Sequence, residues 1–472
     1  MNAPNPPWLD LAILAGLVGS AIVGLVRSPN RAFRLGLAFN GASLACAAMA
    51  SIGFYQGARP GPWDLQARAF GRTLFALDEL SATLVPAVAL LHFLTALATA
   101  ATHMRRFSSS WSLASSALRL ATFSCRSPWP LVVLLSLATI PPYVELRNRH
   151  RPTRLYLIHM SAFVALLVLG QALVGQTLRA SGQAPWWAIL PLLAAVLILC
   201  ATVPAHCWLT DWLEHASMGI ALLYVVPMTG VYAVVRLVLP IAPGWVLSTI
   251  GLFSTFTAVY AAGMATVQRD TRRFFANLLL SLASLVLVGL ELHTELSLTA
   301  ALSLWTSVLL SVGGFGLMLR ALEARFGRLS MAEYHGLYEH SPMLAVCFLV
   351  TGLASIGFPG TLGFIAMDLL VDSAVEANPY IGVGVVAAAA LCGIAVMRAY
   401  FLLFTGKRHA STLDLSLGLR EKIAVLTLTA LALGGGFFPQ PGISSRLRAA
   451  EEILAARVAQ RPKPSPPVAA RR

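Results

Sequence analysis

The chain has 472 residues, 57% of them hydrophobic and only 11% charged, with a mean hydropathy of +0.74. That composition lies outside the range of soluble globular proteins and makes the chain an integral membrane protein in contact with the lipid bilayer. The formal net charge of +14 comes from basic residues, mostly Arg, scattered over short loops; there is no basic domain to hold a nucleic acid, and membrane topology accounts for the charge.

A spanning helix needs about 20 apolar residues. In chain order fourteen stretches qualify: 8–26, 33–54, 79–101, 109–125, 129–146, 155–178, 185–204, 217–240, 244–267, 273–292, 296–319, 341–371, 379–404 and 421–440. The expected fold class is therefore an all-α membrane protein of about fourteen transmembrane helices. The first follows Met1-Asn-Ala-Pro-Asn-Pro-Pro, which lacks a basic stretch, and is expected to be a retained span rather than a cleaved signal. The fourth is Ser-rich and carries Arg119, and the twelfth is too long for one straight helix. With the N-terminus outside, 19 basic residues fall on inner loops, while the outer loops hold only Arg59, Arg68, Arg72, Arg126, Arg179 and Arg236. The positive-inside rule therefore favours N-out. This leaves the C-terminal tail outside with seven basic residues, against the trend. Six cysteines, Cys46, Cys125, Cys200, Cys207, Cys347 and Cys392, show no Cys-x-x-Cys spacing, so neither a disulfide framework nor a metal site is indicated.

Spans four to eight and nine to thirteen each form a group of five, which makes the second group inverted relative to the first. In each group the fourth member is interrupted, at Pro204 in the seventh span and at Gly357-Phe-Pro359-Gly360 in the twelfth. Proline removes a donor and clashes with the preceding turn. Broken helices at matching places in an inverted repeat point to an ion path, and two packing kinks are the plainer alternative. The organisation expected is three leading helices (1–107), a first repeat (108–241), an inverted second repeat (242–408), a last span (409–441) and a basic, Pro-rich, disordered tail (442–472).

Residues 198–217 hold the densest polar cluster, with Pro204, His206, Trp208, Asp211, Glu214 and His215 in twelve positions. Pro204-Ala-His206-Cys-Trp208-Leu-Thr-Asp211-Trp-Leu-Glu214 resembles the Pro-x-His-x-Trp-Leu-x-Asp-x-x-Glu signature of the antiporter-like membrane subunits of respiratory complex I, a family shared with Mrp antiporters, membrane-bound hydrogenases and inorganic-carbon transporters of the DAB type. Further likenesses follow in the family's order. Phe75-Ala-Leu-Asp78-Glu-Leu-Ser81 is similar to the start of its third span and Ile140-Pro-Pro-Tyr143 to the end of its fifth. Gly230-Val-Tyr232 through Arg236 resembles the eighth, Asp270-Thr-Arg-Arg273-Phe-Phe-Ala276 opens the tenth, and Ala354-Ser-Ile-Gly-Phe-Pro-Gly-Thr-Leu-Gly-Phe364 is close to the broken twelfth.

The resemblance implies protons moving along a midplane file of charged groups, with a Glu–Lys pair in the first repeat and a Lys, His or Glu relay onward. A carrier in low dielectric needs a partner whose attraction shifts its proton affinity. Position by position, that file is missing here: the fifth-span Glu corresponds to Ser136, the seventh-span Lys to Leu199, the eighth-span Lys to Met228 and the twelfth-span Lys or Glu to Met367. The only lysines, Lys407, Lys422 and Lys463, lie outside the core of the spans. The candidates that remain for a proton path are His206 at the seventh-span break, His92 in the third span, His159 in the sixth and Asp368 in the twelfth. Neutral His suits relay because its ordinary pKa lies near 6.5. Asp211 and Glu214 at the inner mouth are expected either to cap the eighth helix or to collect protons. Asp368 stands one residue past the family position, about 100° round a regular helix, unless the upstream break restores its orientation.

No nucleotide loop, metal-ligand cluster or nucleophile arrangement appears, so no cofactor or catalytic site of the chain's own is expected, and any NADH, flavin or quinone chemistry would belong to partner subunits. The function implied is that of an antiporter-like subunit in the cell (inner) membrane, in a complex of the NADH-quinone oxidoreductase type, translocating protons or cations coupled to its partners' chemistry. Two alternatives are a non-conducting scaffold and the membrane subunit of an inorganic-carbon transporter.

Overall fold

The computed structural model describes residues 6–57, 74–99, 108–182, 184–406 and 417–459. Lys407, Arg408, Arg105, Arg106, Arg59, Arg68, Arg72, Lys463 and the tail beyond 459 lie outside them. Within the described residues the chain is helical, without a β-strand, in keeping with its membrane-length apolar stretches. A bilayer offers backbone groups no partner, so each segment must satisfy its own.

Helices α1 (Trp8–Leu25), α2 (Pro29–Tyr55) and α3 (Ser81–Leu97) lead. The next group is α4 (Ser109–Ser124), α5 (Pro128–Leu137), α6 (Ile140–Asn148), α7 (Arg154–Ser181), α8 (Trp186–Leu199), α9 (Cys207–His215), α10 (Met218–Val225) and α11 (Thr229–Ala233), the last running into a π-helical turn at Val234–Val238. Helices α12 (Gly244–Val267), α13 (Thr271–Glu291), α14 (Glu295–Phe326), α15 (Pro342–Ser355), α16 (Leu362–Ala377) and α17 (Pro379–Phe404) follow, then α18 (Leu419–Phe437) and α19 (Gln440–Ala459). Among the described residues nine helical stretches are by themselves long and apolar enough to cross a membrane. The expected count of fourteen is not met as fourteen such helices: α3 and α4 are short, the seventh and twelfth spans are each split in two, and α18 qualifies only together with α19, across a sharp bend.

The split falls where proline and glycine foretell it. Helix α8 stops at Leu199 and α9 resumes at Cys207, across Pro204. Helix α15 stops at Ser355 and α16 resumes at Leu362, with Gly357 at φ +88°, a conformation open to glycine and costly for other residues. A third break at Pro227, between α10 and α11, was not expected within 217–240. Freed backbone groups find side chains: Trp208 Nε1 donates to the Ile198 carbonyl at 2.8 Å, Trp305 Nε1 to that of Pro227 at 3.1 Å, and the Val203 amide donates to Thr257 Oγ1 at 3.2 Å. Each bond of this kind contributes about 1 kcal/mol net, and leaving the group unmet costs more.

The core lies in α10, α11, α13 and α14, which are buried along nearly their whole length, whereas α1, α2 and α7 bury one face. Small residues allow close approach: a Cβ on Gly170 of α7 would stand 2.3 Å from the Leu192 amide nitrogen of α8. All six cysteines are free.

Two sets of ion pairs tie the ends. At the end that the charge count places inside, Arg272 meets Glu323 at 2.7 Å, Arg273 meets Glu214 at 2.7 Å and Arg325 meets Glu421 at 2.5 Å. At the outer end Asp78 binds Arg236 and, at 3.3 Å, Arg126, and it accepts from the Ser81 amide and hydroxyl.

The expectation of a disordered tail from 442 is corrected as far as residue 459. Helix α19 turns 80° from α18 and is held across the outer ends of its neighbours. Arg446 bonds Thr83 and the Glu79 carbonyl, Tyr55 bonds Ser445 at 2.9 Å, and Arg457 donates to the carbonyls of Leu239 at 2.6 Å and Ala242 at 2.9 Å. Guanidinium forks that close orphan carbonyls of other helices order this basic stretch.

Candidate functional site

None of the four side chains that the resemblance set against charged positions, Ser136, Leu199, Met228 and Met367, carries a charge. Ser136 turns its hydroxyl back to the Val132 carbonyl at 2.8 Å. Leu199 and Met228 line a cavity of about 50 Å³ between the breaks of the seventh and eighth spans, together with Cys200, Trp208, Tyr224 and Thr229. Met228 sits at φ +53° where α11 begins, and Met367 is buried against Gly357.

A different polar cluster stands beside that cavity. Arg119, wholly buried on α4, places its guanidinium 5.1 Å from the centre of the Tyr224 ring, and its Nε and Nη1 have no hydrogen-bond partner. The Tyr224 hydroxyl lies 3.3 Å from that of Tyr156, which donates to the Thr139 carbonyl at 2.8 Å. Trp208 and Trp212 pack edgewise and tilted on Tyr224, so four helices, α4, α7, α9 and α10, meet there. His92, on α3, has both ring nitrogens buried without partners.

Tyr224 also lines a second hollow, about 40 Å³, reached from the inner end and bounded by Ser108, Ser112, Ser115, Glu145 and Asn148. The cavity and the inner cleft share this one side chain and are each roomy enough for a few waters. Glu291, a wholly buried carboxyl at the outer end of α13, accepts at Oε1 from Ser254 at 3.2 Å, while its Oε2 has no partner.

The other sequence candidates lie apart from this cluster. His206 meets Tyr260 edge-on with ring centres 5.4 Å apart, and its Nδ1 is buried without a partner. His159, half-buried on α7, turns Nδ1 to the Leu155 carbonyl at 2.9 Å. Asp211 and Glu214 do not cap the eighth helix: Asp211 lies 3.5 Å from His215, and Glu214 is bound to Arg273, tying α9 to α13. The Ser217 amide that opens the eighth span is met instead by Glu145 Oε1 at 3.2 Å. Asp368 is exposed on α16, so the break does not restore its orientation and the interior position belongs to Met367. Pro204, Gly357, Pro359 and Gly360 do mark the breaks.

Sequence reasoning noted Arg119 only as a peculiarity of the fourth span, and it passed over Glu291. An Arg within an apolar span is itself a signal of a functional place, but its partners come from α7 and α10, remote in the chain.

A bundle of apolar helices, three of them broken within their apolar stretches, defines a multi-pass membrane protein. A family described as NADH:quinone oxidoreductase/Mrp antiporter, transmembrane, matches residues 154–392, half of the chain, and the chain belongs to that family. NADH-quinone oxidoreductase subunit 13 of Thermus thermophilus is 28% identical over 400 residues, 79% of this chain and 83% of that subunit. Among solved structures, a chain of respiratory complex I from Thermus thermophilus superposes with a TM-score of 0.78 at 23% identity, over 94% of this chain and 99% of the other. A chain of the Mrp complex from a Dietzia species gives 0.77 at 17%, over 96% and 100%. At those identities the superpositions speak to the fold.

Proposed function

We propose that this antiporter-like membrane subunit works within a multi-subunit complex of the NADH-quinone oxidoreductase type, with the redox chemistry on other subunits, and that it moves protons through its first repeat by a rebuilt path. The observation that carries the reading is that Tyr224 lines both the inner cleft and the cavity at the helix breaks. Protons would enter past Glu145, pass between the Tyr156 and Tyr224 hydroxyls, cross the cavity and reach Glu291. Arg119 holds its proton and serves as a fixed charge that sets the field, the electrostatic part of what a lysine supplies in the resemblance, while hydroxyls, waters and His92 exchange protons. Of the sequence candidates, His206 is retained as an accessory group, since a polar atom is left unmet at the break; Asp211 and Glu214 serve as struts, and Asp368 lies off the path.

The test is proton flux in liposomes holding the purified complex, with wild type against Tyr224→Phe, Glu291→Gln and His206→Ala. Loss of flux in the first two with the complex assembled supports the path. Absence of flux in every form, wild type included, leaves a scaffold.

A further inference from the structure

Helix α16 turns three carboxylates to the outside of the bundle. Asp368, Asp372 and Glu376 recur every fourth residue and so stack along one face. All three are exposed, and none makes an ion pair or side-chain hydrogen bond among the described residues. Phe364, one turn before, and Val375 are exposed beside them, at 41% and 48%. Asp368 lies nine residues before the outer end of the helix at Ala377, about 14 Å at 1.5 Å per residue, and thus near the midplane of a hydrocarbon core about 30 Å thick. Its side chain is far too short to reach the interface from there, in contrast to a snorkelling Lys or Arg. A carboxylate facing lipid tails at that depth is among the costliest placements a membrane offers.

We infer that this face of α16 is covered in the assembled complex by a helix of another membrane subunit that carries Arg or Lys at the depth of Asp368 and again toward the outer surface. Charge complementarity selects the occupant. A second copy does not fit: among the described residues every exposed Arg or Lys on a spanning helix of this chain lies within two turns of a helix end, and a second α16 would repel the first. Once lipid is excluded, opposite charges in a low-dielectric contact fix register strongly, and the aromatic and branched side chains beside the stripe supply packing. The inference rests on the subunit reading but not on the proton path: flux lost with all partners retained concerns the path alone.

The experiment isolates the complex through a tag on this chain, with Asp368→Arg compared with wild type for partner content, and with a photo-cross-linking amino acid placed at Phe364 in an otherwise wild-type chain. The expected result is at least tenfold depletion of one membrane partner in Asp368→Arg, recovered when that partner's facing cation is changed to Asp. The cross-linked peptide should come from a spanning helix of that partner bearing Arg or Lys. Unchanged partner content in Asp368→Arg, or cross-links to lipid or to this same chain alone, would overturn the inference. If Asp368→Arg does not accumulate in the membrane, the cross-link decides.

Discussion

The Arg119 guanidinium lies over the Tyr224 ring at 5.1 Å, so the buried cation of α4 is balanced by a ring face and not by a carboxylate. A cation over a desolvated aromatic face gains about 2 kcal/mol, far less than an ion pair would offset at this depth. Arg119→Leu is therefore expected to leave thermal stability in detergent unchanged or raised, while proton flux in liposomes falls at least tenfold. A large drop in melting temperature with flux per assembled complex unchanged would make Arg119 a packing residue.

The hydroxyl pair of Tyr156 and Tyr224 makes a sharper test because phenylalanine keeps the rings. Each of Tyr156→Phe and Tyr224→Phe is expected to cut flux about tenfold, since a proton hand-off worth about 1.4 kcal/mol is removed, and the double variant to lose little more than either single one. Additive losses would mean that the two hydroxyls act independently of each other rather than as one hand-off.

The breaks at Pro204 and at Gly357-Phe-Pro-Gly were legible because their cause is local: one side chain decides whether a helix continues. Pro227 has the same local cause but lay unnoticed inside an unbroken apolar run. The helix over 440–459 was hidden for the opposite reason. Its sequence is polar and Ala-rich, and what orders it is the capture of Leu239 and Ala242 carbonyls by Arg457, a contact over 200 residues away in the chain. The orientation of Asp368 was left open because the helix phase after an irregular break depends on tertiary packing; with Met367 packed against Gly357, Asp368 keeps the outward phase of a regular helix. The polar cluster around Arg119 was not legible in the sequence, since its members His92, Arg119, Tyr156 and Tyr224 come from α3, α4, α7 and α10.

Glu214 separates strut from collector. It pairs with Arg273, itself half exposed, and pairs so placed contribute about 1 kcal/mol or less. Glu214→Gln is expected to keep flux within twofold of wild type and to lower stability only slightly. A tenfold loss of flux in that variant would restore the proton-collecting role.

Close approach of α7 and α8 depends on Gly170. A methyl group there would stand 2.3 Å from the Leu192 amide nitrogen, a backbone atom that cannot swing aside. Overpacking against backbone costs about 1–3 kcal/mol. Gly170→Ala should therefore lower the melting temperature in detergent measurably, whereas Gly175→Ala on the same helix, with nothing within 4 Å, should not. Equal behaviour of the two would contradict the α7–α8 contact.

The outer clamp has a pH signature. Burial by itself would raise the Asp78 carboxyl, but Arg236, Arg126 and the bonds from Ser81 outweigh it and hold it below the ordinary aspartate range. A carboxyl depressed on folding contributes stability that is fully present above its unfolded pKa, about 3.9, and is lost as pH falls through the lower folded value. Thermal unfolding in detergent, followed from pH 7 down to pH 3, should show the wild type losing this contribution only below about pH 4. Asp78→Asn should start less stable at neutral pH, because Arg236 and Arg126 lose their shared anion, and the gap between the two proteins should narrow toward pH 3. A gap that stays constant across the range would mean that the charge on Asp78 does not hold the outer ends of α3 and α11 together.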